Sequence, residues 1–464
     1  MVDSIKQFFI KIAQTIWGKF DSKAELRKFL SLAAIFFFVI LVYWTLRPIK
    51  DSVFFVTVGA HNLPWAKIFS ALFVLPVVMF YMKIVEKFQR EKVFYTMMGI
   101  YAVTALAFTF AFMSPTIGLA NTTVSSSRWI GWLWYWFIES YGSVIIASFW
   151  VIVTDITLPD SAKRGFPLIY IFGQLGNIVG PYFITAKNLG FTNSAPIPAI
   201  CAAIMILIAV MLWLFMKYTP KDQLKRYEGK QEGKQVEGAK TKKKKVGFVE
   251  GIKTIFSNGY LMGILFIVMV FEVIVTIFDY QFKLMARTAF PLEIDSSAYL
   301  AQYAYTTGIV AFLCVLFGIN SIQRKLGIFV SLLVTPLLVL SAVFLLWSYP
   351  ILNVAFWIMV FSKAVNYALN QPTLKNMYIP VKKETRYKTM GWIEAFGGRS
   401  SKSIGSAINL LRKLYTSKYG VVGAALFLNV SSSISIALVG IWFLVAFYLS
   451  TKHKKAIAND EYVC

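Results

Sequence analysis

Long apolar runs alternate with short polar connections along most of this chain. Each run holds roughly twenty residues, which is the length that an α-helix needs to cross about 30 Å of hydrocarbon. A transmembrane β-barrel would instead show segments of about ten residues in which polarity alternates. The pattern therefore predicts an all-α polytopic membrane protein.

Twelve apolar runs are present, in two sets of six. They span residues 29–46, 65–82, 93–113, 129–153, 168–184 and 197–218, and then 261–282, 299–319, 328–347, 351–369, 390–411 and 422–449. A lysine-rich segment without apolar periodicity separates the sets, and we expect it to be disordered as far as about residue 250. Two repeated six-helix bundles are typical of major-facilitator carriers that work by alternating access.

These patterns divide the chain into five predicted regions. The residues before the first run fit an amphipathic helix and a frayed terminus equally well. The predicted regions are a cytoplasmic N-terminal segment (1–28), an N-terminal six-helix bundle (29–218), a basic cytoplasmic linker (219–258), a C-terminal six-helix bundle (259–450) and a cytoplasmic C-terminal tail (451–464).

Charge fixes the predicted orientation. The net charge is +25, and much of the excess lies in short loops such as 158–164 and 379–386, whereas the connection 115–127 has no basic residue. By the positive-inside rule, both termini and the linker are cytoplasmic. The lysine-rich segment 240–245 resembles a nucleic-acid-binding patch, but its position in a cytoplasmic loop of a multispan protein explains the charge better. We therefore predict that the protein lies in a lipid bilayer and binds no nucleic acid.

The sequence lacks several residue patterns that metal-dependent and nucleotide-hydrolysing enzymes use. It has two histidines and three widely spaced cysteines, which provide neither a metal site nor a disulfide framework. A Gly-rich Walker loop is also absent from the sequence. We therefore predict a protein that is not an enzyme and needs no metal or cofactor.

Four charges within or at the end of the runs stand out, namely Lys50, Glu139, Glu272 and Lys402. An uncompensated charge at such a depth costs roughly 3 kcal/mol, so each must face water, the bundle interior or a partner. In one interpretation, Lys50–Glu139 and Lys402–Glu272 are salt bridges that only hold helices together. In the other, the lysines exchange the carboxylates for the phosphates of a ligand. Lys363 lies close enough to the inner end of its run to snorkel.

Other residues extend this predicted site. Pro48 is expected to break or bend the first helix where Lys50 is presented. Arg47 and Arg399 are further candidates for binding phosphate. The aromatic side chains available to stack on a planar ring of a ligand are Tyr43, Trp44, Trp132, Trp136 and Tyr141.

Several motifs resemble those of the bacterial and plastidic ATP/ADP translocase family. They are RPIKDS (47–52) followed by VGA (58–60), ESYGSV (139–144), PL (167–168) with FG (172–173) and GN (176–177), and YIP (378–380). The resemblance extends over nearly the whole chain. It implies nucleotide exchange across the inner membrane of a bacterium, one that lives inside host cells. It also implies that Lys50, Glu139, Glu272 and Lys402 are needed for transport, and it adds Asp51 and Asn177 to the candidate substrate-binding residues.

The chain departs from the family pattern at three places that bear on the substrate. His61 stands where an acidic residue is usual, Lys375-Asn376 replaces a Lys-Glu pair, and Ser401 replaces a glycine. We predict a monomeric ATP/ADP antiporter, with substrate in a central cavity between the halves. The alternatives are a carrier of other nucleoside triphosphates, coupling to phosphate or protons, and a membrane scaffold that transports nothing.

Overall fold

The computed structural model describes residues 20–220, 223–224, 248–316, 320–393, 397–459 and 461–463. Nine helices within this part of the chain are long and apolar enough to cross a membrane. The predicted all-α membrane architecture is therefore confirmed, whereas the number of twelve spans stays a prediction. Most of the N-terminal segment to which the two interpretations apply lies outside the described residues. Most of the predicted linker lies outside them as well.

The described residues form two compact units. The first unit contains residues 20–58, 73–224 and 292–305, and the second contains 59–72, 248–291 and 306–463. Each unit thus includes one short segment from the other half of the sequence. The helices of the first half are α1 (Lys23–Thr57), α2 (Leu63–Lys87), α3 (Arg90–Met113), α4 (Trp129–Asp155), α5 (Pro159–Phe183) and α6 (Ile197–Tyr218).

The helices of the second half begin inside the predicted linker. They are α7 (Phe248–Ser257), α8 (Gly259–Ala289), α9 (Glu293–Leu316), α10 (Asn320–Ser348), α11 (Leu352–Val365), a π-helical turn (Asn366–Asn370), α12 (Gln371–Met377), α13 (Lys383–Trp392) and α14 (Gly398–Ala458). The prediction of disorder as far as residue 250 is wrong for the start of α7. Ile252 and Ile255 recur at helical spacing in this segment, and Ile255 is buried.

Pro48 lies inside α1, so of the two predicted outcomes, a break and a bend, the break is wrong. The helix runs through Pro48 and ends at Thr57, eleven residues beyond the last residue of the first apolar run. A proline lacks one backbone donor, but the surrounding turns of α1 are buried on several sides. Hydropathy placed the boundary at Leu46 because the next residues are charged, whereas packing keeps them helical.

The predicted basic loops 158–164 and 379–386 are partly helical. Residue 159 is the first residue of α5, where proline is favoured because its missing N–H needs no partner. Likewise, α13 begins at Lys383. The last predicted connection is also helical, since α14 continues through Lys413 and changes direction only at Gly420, where φ is +58°.

Glycines allow α5 to pack closely on α1 in the first unit. A Cβ atom on Gly176 would lie 2.3 Å from the carbonyl oxygen of Phe37, and one on Gly180 would lie 2.6 Å from that of Leu41. Only glycine permits such a backbone approach at these positions. In the second unit, Gly405 of α14 similarly meets the carbonyl oxygen of Val273 of α8.

Candidate substrate-binding site

Lys50 and Glu139 form an ion pair between α1 and α4 in the first unit. The Lys50 side chain is 4% exposed and the Glu139 side chain is 32% exposed. The Lys50 Nζ atom also lies 4.3 Å from the centre of the Tyr135 ring, within the range of a cation–π interaction. The predicted partner of Lys50 is therefore confirmed, and the pair leaves the carboxylate more accessible than the ammonium group.

The helix that presents Lys50 is held by α4 as well. Trp134 donates its indole N–H to the carbonyl oxygen of Ile49 at 3.4 Å. Gly142 of α4 lies directly against the ring of Tyr43 of α1, where a Cβ atom would come within 2.4 Å of that ring. Tyr101 of α3 donates to Ser140 at 3.0 Å, next to Glu139. These contacts fix the lysine and the carboxylate on rigid helices.

The neighbours of Lys50 in the RPIKDS motif have different surroundings. Arg47 is half-buried, and its guanidinium lies 4.6 Å from the Trp44 ring and 5.9 Å from the Tyr43 ring. Asp51 is buried, with 4% of its surface exposed. Both residues belong to the same unit as Lys50.

Ser52 has a role that the sequence did not indicate. Its hydroxyl donates to the Glu293 carboxylate at 2.8 Å, and the backbone N–H of Ser194 donates to the other carboxylate oxygen at 3.0 Å. Glu293 begins α9, before the eighth apolar run, and belongs to the first unit. Desolvation raises the pKa of Glu293, although the hydrogen bonds from Ser52 and Ser194 act in the opposite direction.

Asn177 lies on the part of α5 that Gly176 brings against α1. The residue is 4% exposed, and its Oδ1 atom is buried without a hydrogen-bond partner among the described residues. A buried polar atom of this kind costs free energy unless something else satisfies it. Asn177 is therefore a suitable group for hydrogen bonding to a ligand.

Lys402 and Glu272 form the second predicted pair, between α14 and α8 in the second unit. The Lys402 Nζ atom lies 3.9 Å from the nearer Glu272 oxygen, and the lysine side chain is 54% exposed. This contact is longer and more open than the pair formed by Lys50. Arg399, one turn before Lys402 on α14, is half-buried.

A third group of charged side chains lies in the second unit, and most of its members were not predicted from the sequence. Asp279 of α8 forms ion pairs with Lys67 of α2, Lys283 of α8 and Lys363 of α11. The prediction that Lys363 snorkels is wrong, because helical structure continues from Leu352 to Met377 and places this lysine near the middle. The spacing of four between Asp279 and Lys283 was the available signal, since residues four apart share a helix face.

The aromatic candidates have different surroundings in the structure. Tyr141 is fully buried and its hydroxyl donates to the Val39 carbonyl oxygen at 3.5 Å, so it is a packing residue in this structure. Trp132 packs edge-on against Phe54, and Trp136 stacks on Phe73. Tyr43 and Trp44 flank Arg47.

Comparison with known proteins decides the family. The family model for the TLC ATP/ADP transporter matches residues 2–453. The chain belongs to the TLC ATP/ADP transporter family. As a member of a transporter family, it is a multi-pass membrane transporter and not an enzyme.

Curated relatives of this TLC-family transporter are found in Rickettsia. The ADP,ATP carrier protein 1 of Rickettsia bellii is 25% identical, with 98% of each chain covered. The ADP,ATP carrier protein 3 of the same species is 24% identical over 88% of this chain and 90% of the relative.

Solved structures show the same fold at low sequence identity. A mutant of the peptide transporter POT superposes with a TM-score of 0.64 at 11% identity, covering 92% of this chain and 95% of that one. A mutant of the nucleoside transporter NupG gives 0.61 at 14% identity, covering 90% and 99%. These likenesses confirm the predicted major-facilitator-like fold.

Proposed function

We propose that this protein exchanges ATP for ADP across a bacterial inner membrane and binds the phosphates with lysines located inside its helices. The observation that carries the proposal is Lys50, a lysine with 4% of its side chain exposed, inside a transporter of the TLC ATP/ADP family. The Rickettsia relatives are named ADP,ATP carriers, which supports the choice of nucleotide.

The Lys50–Glu139 pair provides a switch between empty and loaded states. A buried ammonium group needs an anion, and in this structure the carboxylate of Glu139 is that anion. A phosphate oxygen competes for the same lysine and forms a charge-assisted hydrogen bond with it. Binding of substrate therefore releases Glu139 from its partner, which gives the loaded carrier a different set of helix contacts from the empty one.

The remaining predicted residues have supporting roles in this proposal. Lys402, with Arg399 one turn away, is accessible enough to meet a phosphate without first leaving a tight pair. Asn177 offers a buried amide to a polar group of the nucleotide. Arg47, held between Tyr43 and Trp44, adds positive charge beside Lys50.

Uptake into proteoliposomes tests the exchange. We expect labelled ATP to enter vesicles loaded with ADP, and not empty ones, when the purified protein is present. Uptake into empty vesicles that an uncoupler abolishes would show proton symport instead. No uptake of any nucleotide would contradict both and would favour a scaffold. Competition by unlabelled nucleotides then defines the range of substrates.

The role of Lys50 is tested by Lys50→Gln in the same assay. We expect exchange to be lost while the protein still inserts into the membrane, because the amide cannot replace an ammonium group facing phosphate. Lys187→Gln is the matched control, since Lys187 pairs with Asp295 at 3.0 Å but is 60% exposed. Equal rates in the two variants would remove Lys50 from the site. Glu139→Gln should slow an exchanger and should remove the pH dependence of a symporter.

We propose further that both termini face the cytoplasm and that the carrier works as a monomer. Loop charge supports the orientation. A membrane-impermeant maleimide should label Cys464 in inverted vesicles and not in right-side-out vesicles. Cys464→Ser gives the background from Cys201 and Cys314. Cross-linking and light scattering of the purified protein test the monomer.

A further inference from the structure

Three lysines surround the single carboxylate of Asp279 in the second unit. One Asp279 oxygen lies 2.8 Å from the Lys67 Nζ atom and 2.9 Å from that of Lys283, and the other oxygen lies 3.7 Å from that of Lys363. All four side chains are nearly buried, with 10–14% of each exposed. The lysines come from three helices, α2, α8 and α11. We name these four residues the Asp279 cluster.

The Asp279 cluster contains more positive charge than helix packing requires. Its four side chains carry two more positive charges than negative ones, whereas a single lysine suffices to neutralise a carboxylate, as between Lys50 and Glu139. Ammonium groups that share one small anion also repel each other, and this repulsion is screened weakly inside a protein. An additional or larger anion would relieve it.

The position of the cluster connects it with a residue of the candidate site. Asp279 follows Glu272 by seven residues on α8, which is close to two full helical turns. Glu272, Asp279 and Lys283 therefore lie along one side of the helix, with roughly 10 Å along the axis between the first two. Lys363 lies eleven residues after the first residue of α11, well inside that span.

We propose that Lys67, Lys283 and Lys363 form a phosphate-binding subsite that Asp279 occupies while the carrier is empty. A terminal phosphoryl group displaces Asp279 and meets the three ammonium groups. The choice of a phosphoryl ligand rests on the proposed function, but the displacement of Asp279 rests on the cluster alone. The phosphoryl group comes from a nucleotide or from free inorganic phosphate.

The chemistry of the cluster favours a phosphoryl group over a carboxylate ligand. A terminal phosphoryl group presents three strong acceptor oxygens and a charge of about −2, which matches three ammonium donors. A carboxylate that displaced Asp279 would supply one charge and would leave the excess of two positive charges unchanged, whereas the phosphoryl group reduces that excess to about one. Chloride would supply one charge without directional acceptors.

Binding to the purified full-length chain in detergent tests the subsite, with pyrophosphate, inorganic phosphate and ADP as separate probes in isothermal titration calorimetry. Asp279→Asn removes the internal competitor and keeps the side-chain shape, so we expect binding of pyrophosphate to tighten about tenfold. Lys283→Gln should weaken it by a similar factor. Asp295→Asn is the matched control, because Asp295 pairs with one exposed lysine, and it should leave the affinity unchanged.

The pattern across the probes identifies the source of the phosphoryl group. Tighter binding of ADP and pyrophosphate by Asp279→Asn, without a change for inorganic phosphate, indicates the terminal phosphate of a nucleotide. Tighter binding of all three indicates that free phosphate also enters the subsite. Unchanged or weaker binding of every probe by Asp279→Asn overturns the proposal, because a purely structural aspartate has no ligand to compete with.

A second measurement covers the case in which Asp279→Asn does not fold. The rise in melting temperature that pyrophosphate causes should be smaller in Lys363→Gln than in the wild-type protein, and an equal rise overturns the subsite. Failure of the proposed function looks different. In that case the wild-type protein takes up no nucleotide, while pyrophosphate binding still depends on Asp279.

Discussion

The Lys50–Glu139 pair and the Asp279 cluster occupy corresponding places in the two halves of the sequence, with their charges exchanged. In the first half, the helix of the first apolar run carries the cation and that of the fourth run carries the carboxylate. In the second half, α8 contains the seventh run and carries the carboxylate, and α11 lies within the tenth run and carries Lys363.

The difference between the two regions is one of charge balance. The first region is a one-to-one pair, whereas the second has Lys67 and Lys283 in addition to Lys363 around one carboxylate. A one-to-one pair is neutral when empty and must be opened by a ligand. A cluster with surplus cations attracts a polyanion before any pair is broken. We therefore expect similar helix contacts to act as a switch in the first unit and as a phosphate-binding subsite in the second.

The largest predicted effect separates the two regions by stability. Lys50→Gln leaves Glu139 without its lysine partner, so we expect a loss of about 2–4 kcal/mol, below the range for fully buried pairs broken from one side, because the Glu139 side chain is 32% exposed. Lys283→Gln should cost much less, because Lys67 and Lys363 still neutralise Asp279. Thermal unfolding of the purified variants measures both, and Glu139→Gln should restore stability to Lys50→Gln. Equal losses in the two single variants would contradict the comparison.

A smaller effect is predicted for the glycines that set the helix contacts of each unit. Gly176→Ala places a methyl group 2.3 Å from the Phe37 carbonyl oxygen, and Gly405→Ala places one 2.8 Å from that of Val273. We expect overpacking to cost roughly 1–3 kcal/mol, with the larger loss at Gly176. Gly99→Ala is the control, since a Cβ atom there meets nothing within 4 Å and alanine favours helix.

Melting temperatures decide this second prediction. The variant at Gly99 should melt at the wild-type temperature or slightly above it. If Gly405→Ala were the more destabilising variant, the closer approach of α5 to α1 would not be the tighter constraint in the protein.

The smallest effect is expected at Lys402. Its contact with Glu272 is 3.9 Å long and its side chain is 54% exposed, so Lys402→Gln should change stability by about 0–1 kcal/mol. ADP uptake should nevertheless fall markedly, because the lysine is a proposed phosphate contact. Thermal unfolding and uptake measured on the same preparation separate the two quantities. A large loss of stability with normal uptake would make Lys402 a structural residue.

Much of the candidate site was predictable because intramembrane charge is rare and costly. Lys50, Glu139, Glu272 and Lys402 stand out in the apolar runs for this reason, and their two pairings follow from opposite charge. Lys67 and Lys283 were not singled out because they lie near the ends of apolar runs, where a lysine can reach the interface at little cost. Only the approach of α2 and α11 to α8 shows that they share one carboxylate.

The sequence by itself determined the class of the protein, because hydropathy sums along a segment and depends little on what the segment later contacts. Hydropathy therefore predicted the all-α membrane architecture, and the motifs separately indicated the family. The tertiary structure decided where α1 ends, that Ser52 binds Glu293, and that Lys363 pairs with Asp279 rather than reaching the interface. These outcomes depend on helices that are distant in the sequence, and the free energy of a buried charge is set by the partner that packing brings to it.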